Sequence, residues 1–244
     1  MTAALSHGMV LAAGLGLRMR PLTENTAKPL LPLYGRSLLD HALDRLEAAG
    51  VREAVVNAHW HADQVAAAVA GRRMPRIDLQ REGELLDTGG GVARALPRLG
   101  VNPFAVVNGD SMWLDGPVPA LARLAAALDP ATMDGVLLLV RSVQVEGEVG
   151  GGDFLLDPLG RLRRPKEREV APYLFAGVQV LSHALFADAP ASGAFSLNRL
   201  YDRAIAAGRL HALVHDGVWF HLSTPPDLER AEAAMQAGLA KAPF

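Results

Sequence analysis

The sequence has no cysteine, so neither a disulfide frame nor a thiolate nucleophile is available to it. It also lacks a strong charge of either sign: 24 Lys and Arg stand against 26 Asp and Glu, for a formal net charge of −2 at pH 7. That balance gives no reason to expect nucleic acid or an acidic membrane as partner, and any functional positive charge has to be local. No apolar run reaches membrane-spanning length. The first residues show no basic region followed by an apolar core, so no secretory signal is expected, and the cytoplasm is the expected compartment. What is present in quantity is apolar: hydrophobic residues make up 50% of 244. That suffices for one large domain, or one domain with a small lobe.

The most informative stretch runs from Met9 to Pro32. An apolar run, Met9-Val10-Leu11-Ala12-Ala13, ends in Gly14-Leu15-Gly16, and Arg18, Arg20 and Lys28 follow. Such a run suits a strand buried on both faces of a parallel sheet. Two glycines one residue apart let backbone approach a ligand, and successive N–H groups there form an anion nest. The stretch therefore reads as a phosphate-binding loop. It is not a P-loop, because no Gly-x-x-x-x-Gly-Lys-Ser/Thr string occurs. It is not a dinucleotide fingerprint either: Met19 stands where the third glycine belongs, and Pro21 interrupts an immediate helix.

Strand and helix patterns then alternate, which predicts an α/β fold with a parallel sheet. Ser37 is placed to cap a helix from Leu38 to Ala49, which Gly50 stops. Ala54-Val55-Val56 and Ile77-Asp78-Leu79 read as strands with a helix from about Asp63 to Ala70 between them. Asn57, His59, Trp60 and His61 follow the first of these as a loop, since nothing nearby completes a metal-ligand set. Gly89-Gly90-Gly91 stand directly before a helical pattern (Val92, Ala95, Leu96) and predict a bare helix N-terminus. Phe104 to Val107 reads as a central strand, so Asn108-Gly109-Asp110 falls at its carboxyl end, where ligand crevices form. A carboxylate facing a phosphate-binding loop there suits Mg²⁺. Ser111, Met112 and Trp113 are expected in the pocket wall. A helix over Pro117–Leu128 and a strand over Gly135–Val140 follow. From Glu146 the pattern loosens, and Asp153 to Leu156 with Asp157-Pro158-Leu159-Gly160 predicts a smaller antiparallel lobe. Tyr173 to Leu181 reads as a strand returning to the core, followed by a helix from Asn198 to Ala207, a strand from His211 to His215 and a closing helix from Asp227 to Leu239.

Leu-Ala-Ala-Gly-x-Gly-x-Arg-x-x-Pro-Leu-Thr with the later Lys28-Pro29 resembles the signature of sugar-1-phosphate nucleotidyltransferases. The form Glu-Gly-Glu-x-Leu-x-Thr-Gly-Gly-Gly at Glu82 to Gly91 and Gly150-Gly151-Gly152-Asp153-Phe154 are similar to the N-acetylmuramate-1-phosphate uridylyltransferases. The resemblance implies a nucleotidyltransferase (GT-A-like) fold: a Rossmann-like, mainly parallel sheet with an antiparallel sugar-binding lobe. Residues up to about 140 would hold the nucleotide and those from about 141 the sugar, in a single domain. It implies that Gly14, Gly16, Arg18 and Lys28 wrap the triphosphate, with Leu11, Ala12, Ala13 and Asn108 also binding the nucleotide. Glu82, Thr88, Gly89 and Gly90 would line base and ribose, and Asp110 would hold Mg²⁺. Gly152, Asp153, Lys166 (with Arg164 as a second candidate), Gly177 and His221 would meet the sugar phosphate. The implied partners are small molecules, UTP and a sugar 1-phosphate, with cell-wall precursor recycling as the setting and no appended acetyltransferase. The chain departs from the pattern at its end. Where the family has Trp-x-Asp-x-Gly-Thr, this chain has Trp219-Phe220-His221-Leu222-Ser223-Thr224, without the second metal carboxylate. Asp216 is a poor substitute for it. Hard cations prefer oxygen, so His221 suits phosphate or a metal-bound water better than the metal itself. Three readings stay open: a uridylyltransferase, a same-fold enzyme with another base or sugar such as a mannose-1-phosphate guanylyltransferase, and a nucleotide-sugar binding module without catalysis.

Overall fold

The computed structural model describes residues 5–100, 103–147 and 150–238. Seven strands form the central sheet: β1 (His7–Leu11), β2 (Glu53–Ala58), β3 (Arg76–Arg81), β4 (Phe104–Asn108), β5 (Gly135–Arg141), β6 (Tyr173–Leu181) and β7 (Leu210–Val214). Their order is β7-β5-β6-β4-β1-β2-β3. β1 pairs in parallel with β2 and β4, β2 with β3, and β5 with β7. Only β6 runs against its neighbours β4 and β5. The sheet is thus the mixed, mainly parallel one that the sequence predicts. Its strand order reverses between β1 and β4, and an open α/β sheet has its crevice at the carboxyl ends of such a pair.

Successive residues of the strands alternate between two cores. Val10, Val56, Ala105 and Val107 pack with α1 (Leu38–Ala48), α2 (Ala62–Val69) and α4 (Ala120–Ala127). Met9, Val55 and Val106 pack with α3 (Asp87–Ala95) and α5 (Leu197–Ala206) on the opposite face. A strand buried on both faces has to be apolar throughout, which explains why these strands lack polar alternation. A third cluster joins Met19 behind the glycine turn to Leu222 and to Met235 of α6 (Pro225–Gln236), so α6 packs against the segment that follows β1.

Local signals explain most boundaries. The Ser37 hydroxyl accepts the Asp40 N–H at 3.0 Å and caps α1 as predicted. The predicted helix from Pro117 instead begins at Ala120, because Pro119 is extended at its N-cap. The largest correction concerns Gly89, Gly90 and Gly91. They lie inside α3, buried, and do not precede it. A Cβ on Gly89 would stand 2.4 Å from the Phe195 ring, and one on Gly90 would stand 2.5 Å from the Gly193 carbonyl. Their N–H groups both reach the Phe195 carbonyl, at 2.8 and 3.0 Å. Close packing therefore outweighs the low helix propensity of glycine. Met112 and Trp113 are also corrected: they sit in a short strand (Met112–Leu114) paired with Val218–Phe220 and are core residues, not pocket wall. Glu148 and Val149 of the loose segment, and Leu239 of the closing helix, lie outside the described residues.

His215, just after β7, carries a stability consequence. Its Nε2 faces the Leu114 and Val218 carbonyls at 3.1 and 3.3 Å, and its Nδ1 is buried without a partner. Burial holds its pKa below the ordinary histidine value, and burial also lowers His211 and His221. A depressed folded pKa means that the unfolded chain takes up protons first as pH falls. This contribution to stability is therefore complete above the unfolded value of about 6.5 and is lost below it. The melting temperature is expected to fall between pH 7.5 and 5.5, and the fall should be shallower in His215→Gln. An identical slope in the variant would show that His215 does not carry it.

Candidate functional site

A cavity of about 500 Å³ opens at the β1/β4 crevice. The turn after β1 forms its first wall. Gly16 has φ +63°, and a Cβ there would press on Thr23 and Lys28 at 3.1 Å. The Thr23 hydroxyl donates to the Gly16 carbonyl at 2.8 Å and holds the turn closed. Leu11, Ala13, Gly14 and Arg18 line this wall with Gly16. Ala12 does not: it is buried, and its N–H is held by Asn57 Oδ1 at 2.7 Å.

The second wall comes from β4. The Gly109 N–H donates to the Leu11 carbonyl at 2.8 Å, which clamps the end of β4 to the end of β1. Asn108 and Asp110 thereby face the glycine turn across the cavity. Lys28 Nζ meets Asp110 Oδ2 at 2.6 Å; the lysine is largely buried and the aspartate 39% exposed. The pair is a loaded arrangement, because an arriving polyanion competes for the lysine and an arriving cation for the carboxylate.

The third wall is the start of α3 and the segment before it: Glu82, Leu85, Asp87 and Thr88. Leu85 here and Leu17 beside the glycine turn leave apolar side chains 40% and 56% exposed, apolar surface suited to a flat ring. Asp87 holds φ +58° at this wall.

Ten of the residues singled out from the sequence therefore line one cavity: Leu11, Ala13, Gly14, Gly16, Arg18, Lys28, Glu82, Thr88, Asn108 and Asp110. Those assigned to the sugar phosphate are not among its lining residues. Gly177 is its near neighbour, at a bulge of β6, and a Cβ there would stand 2.0 Å from Ser111 Oγ and 2.9 Å from Asn108 Nδ2. Gly152 packs on the Ala171 carbonyl. Asp153 Oδ2 accepts the Phe175 N–H at 2.8 Å and so supports that bulge. Lys166 is exposed in a turn that follows the short strand Leu162–Arg163, and Arg164 is taken up by Asp202 at 2.8 Å and by stacking on Phe154.

His221 is close enough to the cavity cluster to feel it. Its pKa is lowered by burial first, with Arg18 and Lys28 adding to the effect and Asp227 and Asp110 opposing it. The two carboxylates that flank His221 in sequence, Asp227 and Asp216, are both engaged elsewhere. Burial alone would raise the Asp227 pKa, but hydrogen bonds from Thr224 and Ser223 and the nearby His221 hold it below the ordinary value. Both of its oxygens are spent: Oδ2 caps α6 through the Ser223 and Thr224 N–H groups at 3.0 and 2.7 Å, and Oδ1 meets Arg230. Asp216 is paired with Arg123 at 2.6 Å. Among the described residues no group of three His, Asp or Glu side chains is arranged to hold a metal.

Sequence reasoning missed Asn57, Asp87 and Ser223, all cavity-lining. Asn57 lies near the carboxyl end of β2, next to β1, and the crevice rule could have found it. Ser223 stands where the family signature has glycine, and its hydroxyl is buried without a partner.

The family described as MobA-like NTP transferase domain matches residues 8–201. The chain is 41% identical over 247 residues to the N-acetylmuramate alpha-1-phosphate uridylyltransferase of Caulobacter vibrioides, covering 99% of this chain and 100% of that one. It is 34% identical to the Neisseria meningitidis protein of the same name, over 92% of this chain and 96% of the relative. Among solved structures, the inositol-1-phosphate CTP transferase from T. maritima superposes with a TM-score of 0.80 at 18% identity, covering 100% of both chains. UDP-glucose pyrophosphorylase complexed with UDP-glucose gives 0.77 at 15%, covering 96% of this chain and 99% of that one. At these identities the structural likeness is one of fold.

Proposed function

The chain belongs to the MobA-like NTP transferase family, and from that premise we propose that it transfers a uridylyl group from UTP to N-acetylmuramate 1-phosphate, giving a UDP-sugar and pyrophosphate. The observation that carries the reading is the single cavity in which the glycine turn, Arg18, Lys28 and Asp110 meet Asn57, Glu82 and Thr88. The full-length relatives named for that reaction support the choice of base and sugar.

The chemistry asks little of the protein beyond placement and charge. A phosphate oxygen of the sugar 1-phosphate attacks the α-phosphorus of UTP. The new P–O bond forms as the bond to the bridging oxygen breaks, and pyrophosphate leaves with that electron pair. A phosphate monoester has its second pKa near 6, so the nucleophile is already an anion and needs no general base. Catalysis is then orientation and neutralisation of developing charge. The glycine turn offers backbone N–H groups to the phosphates. Arg18 and Lys28 supply positive charge, with Lys28 exchanging Asp110 for phosphate oxygens.

Asp110 fits a divalent cation that arrives with the triphosphate. It is partly exposed at the cavity wall with only Oδ2 engaged, and Mg²⁺ takes one or two carboxylates, with phosphate oxygens and waters filling the remaining positions. A bound Mg²⁺ would supply neutralising charge at the phosphates. The division of labour we propose is nucleotide on the portion up to about residue 140 and sugar beyond it, with Gly152, Asp153, Lys166, Gly177 and His221 on the acceptor side. No helix among the described residues is long and apolar enough to cross a membrane, and we place the reaction in the cytoplasm, within recycling of cell-wall sugars.

A matrix of four NTPs and several sugar 1-phosphates, assayed for pyrophosphate release with Mg²⁺, tests the reading. Release is expected with UTP and N-acetylmuramate 1-phosphate above every other pair. A clear preference for GTP with mannose 1-phosphate would replace it with the guanylyltransferase reading, and silence with every pair would leave a binding protein.

A further inference from the structure

The run His59-Trp60-His61, with Gln64 one turn further on, joins β2 to α2. None of these four residues lines the cavity, yet each donates to the backbone of a segment beside it. His59 Nδ1 reaches the Glu82 carbonyl at 2.9 Å, at the wall before α3. The other three converge on the loop that runs from Arg18 to Lys28. Trp60 Nε1 donates to the Thr23 carbonyl at 3.2 Å, His61 Nε2 to the Glu24 carbonyl at 3.2 Å and Gln64 Nε2 to the Asn25 carbonyl at 2.8 Å. Three consecutive carbonyls are thus held by side chains of one junction. Thr23 passes the restraint to the glycine turn, because its hydroxyl donates to the Gly16 carbonyl at 2.8 Å. The junction itself is shaped for this at a cost: His61, at the N-cap of α2, has φ +51°, left-handed backbone that non-glycine residues seldom adopt. Apolar burial alone would not fix the loop. Leu22, Glu24 and Asn25 are exposed, and Thr23 and Ala27 are the points at which it is buried.

We propose that Trp60, His61 and Gln64 are positioning residues for the triphosphate. By clasping the backbone of Thr23, Glu24 and Asn25 they hold Arg18 and Lys28 where the phosphates arrive, although none of the three touches substrate. The inference rests on the assignment of this cavity to a nucleoside triphosphate. A loop that holds its binding-competent shape for only a fraction of the time weakens its ligand by that fraction. Loosening the clasp therefore weakens ligands that engage Arg18 and Lys28. It spares ligands that depend on the opposite wall, which His59 holds separately.

Calorimetric titration of UTP and of UMP into the native protein, Gln64→Ala, Trp60→Phe and the double variant tests this. Trp60→Phe keeps an aromatic ring and removes the N–H. Gln64 is exposed, so its truncation leaves the core intact and carries the test if Trp60→Phe does not fold. UTP affinity is expected to fall about threefold in each single variant and about tenfold in the double variant, while UMP affinity stays within about twofold. Amide hydrogen exchange over residues 22–27 of the free protein should speed up in the same variants. A merely structural role would weaken UTP and UMP alike and leave their ratio unmoved. An unchanged UTP:UMP ratio would therefore overturn the proposal, whether or not exchange in the loop had quickened. A native protein that binds UTP no better than UMP would overturn it together with the assignment of the cavity to a triphosphate, so the two failures are told apart.

Discussion

Asp110→Ala is expected to lower pyrophosphate release from UTP by about a thousandfold, the scale on which removal of one charge-stabilising group acts, while UTP binds the metal-free protein at least as tightly as before. The two effects have opposite signs for one reason. Asp110 lies 2.6 Å from Lys28, so without a cation its carboxylate competes with the triphosphate for that lysine and repels the phosphates. Removing it frees Lys28 for the nucleotide. With Mg²⁺ present the same carboxylate is the group that fits the cation, and neither carboxylate flanking His221 is free to replace it: Asp227 is spent on the cap of α6 and on Arg230, and Asp216 on Arg123. Steady-state pyrophosphate release with Mg²⁺, together with UTP titration in EDTA, separates the two effects. Retention of a tenth or more of native turnover would remove Asp110 from the metal assignment. A fall in metal-free UTP affinity would show that Asp110 organises Lys28 more than it opposes the nucleotide.

The lining of the cavity was legible in the sequence where it is local. Gly14, Gly16, Arg18 and Lys28 lie within one turn and its continuation, and Asp110 stands directly after a strand whose apolar run can be recognised unaided. The same locality explains the error at Gly89, Gly90 and Gly91. Three consecutive glycines read as a break, since each costs about 1 kcal/mol in a helix relative to alanine. The compensation, close packing of that helix against Phe195 and Gly193, comes from residues about 100 positions later, which no window of sequence contains. Asn57 and Ser223 were missed for a related reason: their side chains matter through what β1 and the chain's far end bring beside them. The departure at His221 was legible as a change of residue. Its surroundings were not, because the positive charge of Arg18 and Lys28 reaches it only through the fold.

On the proposed acceptor side, Gly177 is where the dependence on backbone shape is sharpest. It sits at the point where the register of β6 against β5 shifts, with φ +75°. The carbonyl before it, on Ala176, accepts from Ser111 Oγ at 2.9 Å and from Trp219 Nε1 at 3.0 Å, so the peptide cannot turn away to make room. Gly177→Ala places a Cβ 2.0 Å from Ser111 Oγ and puts an L-residue in left-handed backbone. Strain and overpacking together are expected to cost about 2–5 kcal/mol, which in a chain of this size lowers the melting temperature by about 5–15 °C. Relief of the clash by displacement of Asn108, two residues from Asp110, would also disturb the cavity, so turnover measured well below the new melting temperature should fall at least tenfold. Ser111→Ala removes the atom that is struck but not the backbone strain. The double variant should therefore regain part of the lost stability and not all of it, a coupling that a cycle of thermal unfolding measurements resolves. Full recovery would assign the whole cost to the hydroxyl. No recovery would assign it to the backbone, and the bulge itself would then be the feature that only glycine can supply.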